Sequence, residues 1–434
     1  MPQAVTPRSS YAGAFDPDLR LSDFSRQALA HLGREYLLNG HLQDRAGLPG
    51  IFLNFGAAAQ VAVSIEEWMS ASPIYSERMQ RALNFVGHDV STVFKNLQLD
   101  IGAPHQFMDF RFQLDDPKHG EFWLAHCGAL MDVEPFGPER VKQMCHDIED
   151  PTFDATAAAT HPCMKMRPIH RPPRVPSDRM PHCRWQVFID EEGKAYEQHA
   201  NLAIVRRSKL AAMPFEAPAD DAEPGGWRDY SGAFDPDFQL EDLSHHALVV
   251  VNSEFALQSH LLARGFLISV AQRFGEDEAR RTASAQWTGI AALTARRLLE
   301  TMEIRGDGID AIAKLFQIHP AFFPRSYVDF RVAITGPGTA HIALHDCPAL
   351  AEGDPYSWFA QLGEAPHPAL DAIAAAVNPR ARCRPARKPG AAQLAWDVVI
   401  DPAAEPMPEP RELKLAQLSK GARFRFQQRR PLRV

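Results

Sequence analysis

The sequence predicts an α+β protein made by tandem duplication. Each unit has N-terminal helices followed by a largely antiparallel sheet with an inserted helix, and the two units pack as a pseudo-twofold pair. Three observations carry this reading. Residues 11–18 read YAGAFDPD and residues 230–237 read YSGAFDPD, and the likeness continues with few gaps through each half. Within each half the apolar spacing changes once, from a helical period to strict alternation. Between the halves, residues 216–229 are rich in Pro, Asp and Gly, as a linker is. The expected divisions are a first repeat at 1–215, the linker at 216–229, a second repeat at 230–426 and a basic tail at 427–434.

Phe24, Ala28, Leu32 and Tyr36 fall at helical spacing behind Asp23, which stands at a cap position. Val61, Ile65, Trp68 and Met69 mark a second helical stripe, and Val90, Val93, Phe94 and Leu97 a third. Alternation then takes over from Met108 to Leu114, and the turn DDPKHG returns the chain into Glu121–His126 as a hairpin. A helix opens at Pro138, with Val141, Met144, Cys145 and Ile148 on one stripe. Two further strands, near 164–169 and 185–189, are joined by the Pro-rich loop 171–182. The second half repeats this order. Glu35 pairs with Glu254, His41 with His260, Trp68 with Trp287, Cys127 with Cys347 and Trp185 with Trp396.

Composition narrows the function classes. The 434 residues are 45% hydrophobic with a net charge of −8, which argues against nucleic acid as a partner, since affinity there comes from neutralising phosphates. The N-terminus has no basic segment leading into an apolar run, and no apolar run reaches the roughly 18 residues that span a bilayer. The expectation is a cytoplasmic protein with no membrane partner, whose six cysteines are thiols. From Arg411 onward eight basic residues face one acidic residue, Glu412, which reads as a solvated tail or one docked on an acidic surface. There is no P-loop, Rossmann glycine fingerprint, G-x-S-x-G elbow or HExxH motif.

Candidate chemistry lies in the first half. All four of its cysteines sit within two residues of a histidine: His126-Cys127, Cys145-His146, His161-Pro162-Cys163 and His182-Cys183. Thiolate and imidazole are ligands for zinc or iron, although adjacent strand residues point to opposite faces, so at most one member of each pair would serve one ion. Only Cys127 is kept in the second half. Cys145 and Cys183 become Leu362 and Leu394, as core positions do, and His126 and His146 become Asp346 and Gly363. His126 is expected at the end of the apolar face made by Phe122 and Leu124. His146 and Asp150, four apart, could form an oriented imidazole–carboxylate pair.

The run from His126 to Phe188 resembles the C-terminal pattern of the L-2-amino-thiazoline-4-carboxylic acid hydrolase-like domains. The resemblance rests on HCGAL at 126–130, Cys145-His146 with Asp150 and Asp154, His161-Pro162, and Cys183 followed by Trp185, Val187 and Phe188. It implies hydrolysis of a small ring or amide-like bond, with Cys127, Cys145 and Cys183 in or near the site and an inactive second copy. The expected function is a small-molecule hydrolase whose N-terminal repeat carries a Cys/His site: His126, Cys127, Cys145, His146, Asp150 and Cys183. The C-terminal repeat would be a structural pseudo-subunit. Two alternatives stand beside it: a pair of binding or sensor modules for a small apolar ligand, and a metal-dependent oxidoreductase or lyase. A divalent transition metal such as zinc or iron is the candidate cofactor, and a homo-oligomer the candidate assembly.

Overall fold

The computed structural model describes residues 7–217 and 221–429, and the chain is α+β with two separate four-stranded antiparallel sheets. In the first repeat, α1 (Arg26–Ala82) and α2 (Val90–Leu97) precede β1 (Met108–Asp116) and β2 (His119–Cys127). Then come α3 (Gly128–Val133), α4 (Pro138–Lys142), α5 (Glu149–Ala158), β3 (Met164–His170), β4 (Cys183–Ile189) and α6 (Ala200–Arg206). In the second repeat, α7 (His245–Phe274), α8 (Glu276–Thr301) and α9 (Ile309–Ile318) precede β5 (Phe330–Gly336) and β6 (Thr339–His345). They are followed by α10 (Pro368–Ala375), β7 (Ala381–Pro385), β8 (Ala392–Ile400) and α11 (Arg411–Ala416). The strand orders, β1-β2-β4-β3 and β5-β6-β8-β7, are the same topology. The register agrees as well: Phe122 lies opposite Trp185, and Ile342 opposite Trp396.

The N-terminal helices differ from the sequence reading in two places. First, α1 is broken at Gly56, whose φ of 85° is open to glycine and strained for other residues; Gly275, with φ 91°, separates α7 from α8 at the matching point. Phe55 and Phe274, the residues before these two breaks, stack with ring centroids 3.8 Å apart. By length and composition α1 could cross a membrane, but its apolar residues from Leu48 to Ile65 lie on both sides of the Gly56 break. Second, Val61, Ile65, Trp68 and Met69 are only partly buried. The buried face of this segment is Gln60, Val63, Ser64, Glu67 and Ser70. That face meets α7 at close range, where a Cβ on Gly265 would lie 2.5 Å from Ser70 Oγ and 2.8 Å from the Glu67 carbonyl. Close approach, rather than apolar spacing, selects what is buried there.

The repeats exchange contacts reciprocally, as an isologous pair does. The Tyr11 N–H donates to the Met302 carbonyl at 2.8 Å, and the Tyr230 N–H to the Leu83 carbonyl at 2.8 Å. Tyr11 hydroxyl meets Gln317 Oε1 at 2.6 Å, and Tyr230 hydroxyl meets Gln98 Oε1 at 2.8 Å. Each FDPD arm therefore docks on the other repeat. Two largely buried ion pairs cross the interface in the same, reciprocal sense. Arg78 holds both oxygens of Glu254 at 3.0 and 2.7 Å, and Arg297 holds Glu35 at 2.6 and 3.0 Å. Each arginine also donates to carbonyls near the end of its own repeat, Ala211 and Met213 for Arg78, Gly421 and Ala422 for Arg297. The charges are thus fully hydrogen-bonded despite burial, which offsets much of their desolvation cost. Arg78→Met should lower unfolding free energy by about 3–5 kcal/mol, because it strands a buried Glu254 carboxylate, while Arg78→Met with Glu254→Met should recover most of that loss. Urea denaturation of the two variants measures both effects.

Candidate functional site

The structure re-sorts the candidates on the first sheet. A β-bulge intervenes in β2, so that Asp109 pairs with His126 but Phe110 with Leu124. The bulge absorbs Ala125 and reverses the facing of the two residues after it. Phe122 and Leu124 point into the core, and after the bulge it is Cys127, 4% exposed, that continues that face. His126 is therefore not at the end of the apolar face. It is partly exposed, with the rings of His182 and Phe424 at 5.8 and 6.4 Å. The imidazole on Cys127 is instead that of His182, whose Nδ1 accepts the Cys127 backbone N–H at 3.1 Å. Burial, then the Arg174 charge, pushes His182 down to about 4, so it is neutral and free to accept. Cys127 Sγ in turn accepts the Leu130 N–H at 3.3 Å and touches Met108 Sδ at 3.8 Å.

The helix expected from Pro138 is also interrupted. Between α4 and α5 the chain makes a π-helical turn over Gln143–Ile148, and this extra residue breaks the single stripe. Val141 and Cys145 are buried, whereas Met144 and Ile148 are partly exposed. The turn also separates His146 from Asp150. His146 Nε2 donates to the Pro172 carbonyl at 2.7 Å, and Asp150 is held by Arg171, so the expected imidazole–carboxylate pair does not form. Cys145 and Cys183 do converge with Cys127. The Glu149 charge raises all three thiols, and that of Cys127 raises the other two. Burial is the larger cause in each case, taking Cys127 up to about 12 and Cys145 and Cys183 well above the usual thiol range. Glu149 itself is pushed up to about 8 by burial, against the Arg171 charge, so it is protonated at neutral pH. Cys163 lies apart, partly exposed, with Sγ near the Gly193 carbonyl.

Beside the thiols lies a group of buried acids that periodicity did not disclose. Asp44 and Glu67 face each other on the two halves of α1, and Trp68 Nε1 donates to Asp44 Oδ2 at 3.2 Å. Asp44 Oδ1 and both Glu67 oxygens are buried with no other hydrogen-bond partner among the described residues. Glu67 is pushed well up, by burial first and then by Asp44, and Asp44 is raised as well, so the pair shares a proton. Arg45 joins the two groups. Its charge acts on Cys127, Asp44 and Glu67, and its Nε is bonded to Asp132 at 3.1 Å. His41, one turn earlier, is buried with neither ring nitrogen bonded among the described residues, and burial holds it well down and neutral.

Comparison of the repeats isolates what is specific to the first. The scaffold is kept: His260, Arg264, Trp287 and Cys347 stand where His41, Arg45, Trp68 and Cys127 do. The ionisable set is not. Asp44, Glu67, Cys145, Glu149 and Cys183 are replaced by Ala263, Gln286, Leu362, Pro366 and Leu394. In the second repeat Trp358 Nε1 donates to Gln286 at 3.1 Å, and His367 stacks on Trp287 at 4.6 Å. Ordinary packing thus fills the place of the acid pair. Reading Asp44 and Glu67 against Ala263 and Gln286 in the sequence would have found them.

Among the described residues, no group of three or more His, Cys, Asp or Glu side chains is arranged to hold a metal ion. At pH 7 Glu149 and the three thiols are protonated and the Asp44–Glu67 pair holds one shared proton, an arrangement that can give and take protons. No protein-family model, no curated protein and no solved structure matches this chain.

Two outcomes are expected. A carboxyl whose folded pKa is raised stabilises the fold fully below its unfolded pKa and loses that contribution as pH rises through the folded one. Glu149 moves from 4.5 to about 8. Wild type should therefore lose stability between pH 5 and 8.5, relative to Glu149→Gln, by on the order of a few kcal/mol in urea titrations; parallel pH profiles would contradict the assignment. Iodoacetamide at pH 8 should label Cys163 well before Cys127, Cys145 or Cys183, as peptide mass spectrometry would register.

Proposed function

We propose that the N-terminal repeat is an enzyme of small molecules, most consistent with hydrolysis of a ring or amide-like bond, and that the C-terminal repeat is its structural pseudo-subunit. One observation carries this reading. Five ionisable or thiol positions of the first repeat, four of them buried and Glu149 partly so, are apolar or neutral in the second, on an otherwise shared scaffold. Buried acids without ion partners cost stability, and the second repeat holds the same fold without them, so architecture does not require them. The resemblance of residues 126–188 to the thiazoline-carboxylate hydrolase-like domains points to the same three cysteines.

In this reading Cys145 or Cys183, the two thiols the second repeat lacks, attacks the electrophilic carbon as the C–N bond breaks. Glu149, protonated at neutral pH, gives its proton to the leaving nitrogen and takes the thiol's proton in return. Water then releases the acyl group from sulfur. His126 and His146 lie outside this step.

The test transfers the second repeat's own residues into the first. Cys145→Leu with Cys183→Leu, and Glu67→Gln separately, should fold with equal or greater thermal stability. When wild type is assayed by mass spectrometry against a panel of cyclic and linear amides and thiazoline acids, turnover should be present. It should fall about 10²–10⁴-fold in Glu149→Gln and be lost in the double cysteine variant. Undiminished turnover in both variants would remove the reading, and reversible binding of panel compounds without turnover would favour a binding module.

A further inference from the structure

A cavity of about 330 Å³ lies between the repeats, walled on one side by the edge strand β1 and on the other by the FDPD arm of the second repeat. Its size is that of a small-ligand site. The walls are apolar where they are deepest, with Met108, Phe112 and Phe238 at 8%, 8% and 6% exposure. Three arginines line it. Arg111 and Arg429 share one carboxylate, Asp109, at 3.2 and 3.1 Å. Asp237, the other acid of the wall, is exposed. The third arginine, Arg34, is 1% exposed, donates through Nη2 to Glu241, and has no partner for Nε among the described residues. His105 adds no charge, because burial holds it down to about 4. A buried guanidinium whose Nε has no partner among the described residues, beside the half-exposed Arg111 and an aromatic wall, is an arrangement that can recognise a carboxylate attached to an apolar body.

We propose that this cavity binds a small monocarboxylate with an apolar or aromatic body, its carboxylate on the Arg34 and Arg111 side and its body against Phe112 and Phe238. The site is built from both repeats, so its ligand bridges them and stabilises the pair by mass action. The cavity is independent of the thiol chemistry; the two meet only at Met108, which lines the cavity and touches Cys127.

Phenylacetate is the probe, with phenylethylamine and inorganic phosphate as comparators, read by calorimetric titration and thermal shift on the full chain. Phenylacetate is expected to bind at submillimolar concentration and raise the melting temperature, and the two comparators to bind at least tenfold more weakly. Arg34→Met with Glu241→Met removes the buried pair together, and should weaken phenylacetate at least tenfold. Should that variant fail to fold, Arg111→Met on the half-exposed rim should weaken it several-fold. Absence of phenylacetate binding, equal binding of phenylethylamine or phosphate, or full affinity in the folded arginine variants would each overturn the proposal.

Discussion

The reciprocal exchange of Arg78 onto Glu254 and Arg297 onto Glu35 is the constraint on which the rest of the molecule depends. Arg78 is buried and Arg297 nearly so, and each finds its carboxylate only in the other repeat. In the assembled chain, losing either partner would strand the other's charge in the interface between the repeats, at a cost comparable to a large part of a domain's stability. The same arginines hold carbonyls near 211–213 and 421–422, which ties the ends of the repeats to the interface. The two halves are thus one folding problem, and the second half must persist whether or not it does any chemistry.

This dependence explains why the second repeat can be chemically plain and yet well formed. It keeps His260, Arg264, Trp287 and Cys347, which pack, and it replaces the acids and two of the thiols by Ala263, Gln286, Pro366, Leu362 and Leu394, which cost little to bury. In the first repeat Glu149 and the thiols of the corresponding cluster are held protonated, and Asp44 and Glu67 share one proton. Burial dominates every shift there, on the thiols and on the carboxyls alike, so the site at rest is a store of protons in an apolar surround. The nearby arginines set its charge balance from outside, Arg45 against Cys127 and the acid pair, Arg171 against Glu149.

Much of the fold was legible because it rests on period. Alternation at Met108–Leu114, the hairpin turn and the repeated YxGAFDPD arm all follow from residue pattern, and the duplicated α+β architecture follows with them. The site was legible only in part. Cys127, Cys145 and Cys183 were visible as a set, but their partners were not, for two local reasons. The bulge that absorbs Ala125 turns His126 away and Cys127 inward, and the π turn at 143–148 parts His146 from Asp150; one-residue insertions of this kind leave no mark on an apolar pattern. Asp44 and Glu67 escaped for a different reason. They lie on the helix face that meets α7 at Gly265, and that face is polar and small, so a search for apolar stripes selects the opposite side. Glu149 carried no mark in either pattern, and His182 stood out no more than the other histidines beside cysteines until the fold placed its ring against the Cys127 backbone.

Glu67 and Glu149, raised by burial so that they hold protons at physiological pH, set the first repeat apart from the second. Infrared difference spectroscopy of the full chain at pH 7, comparing wild type with Glu67→Gln and Glu149→Gln, reports the carbonyl stretch of protonated carboxyl groups directly. A band of this kind is expected in wild type, reduced in each variant, with the Glu149 component vanishing as pH is raised through about 8. A spectrum with no protonated-carboxyl band at pH 7, or one that neither substitution alters, would contradict that assignment.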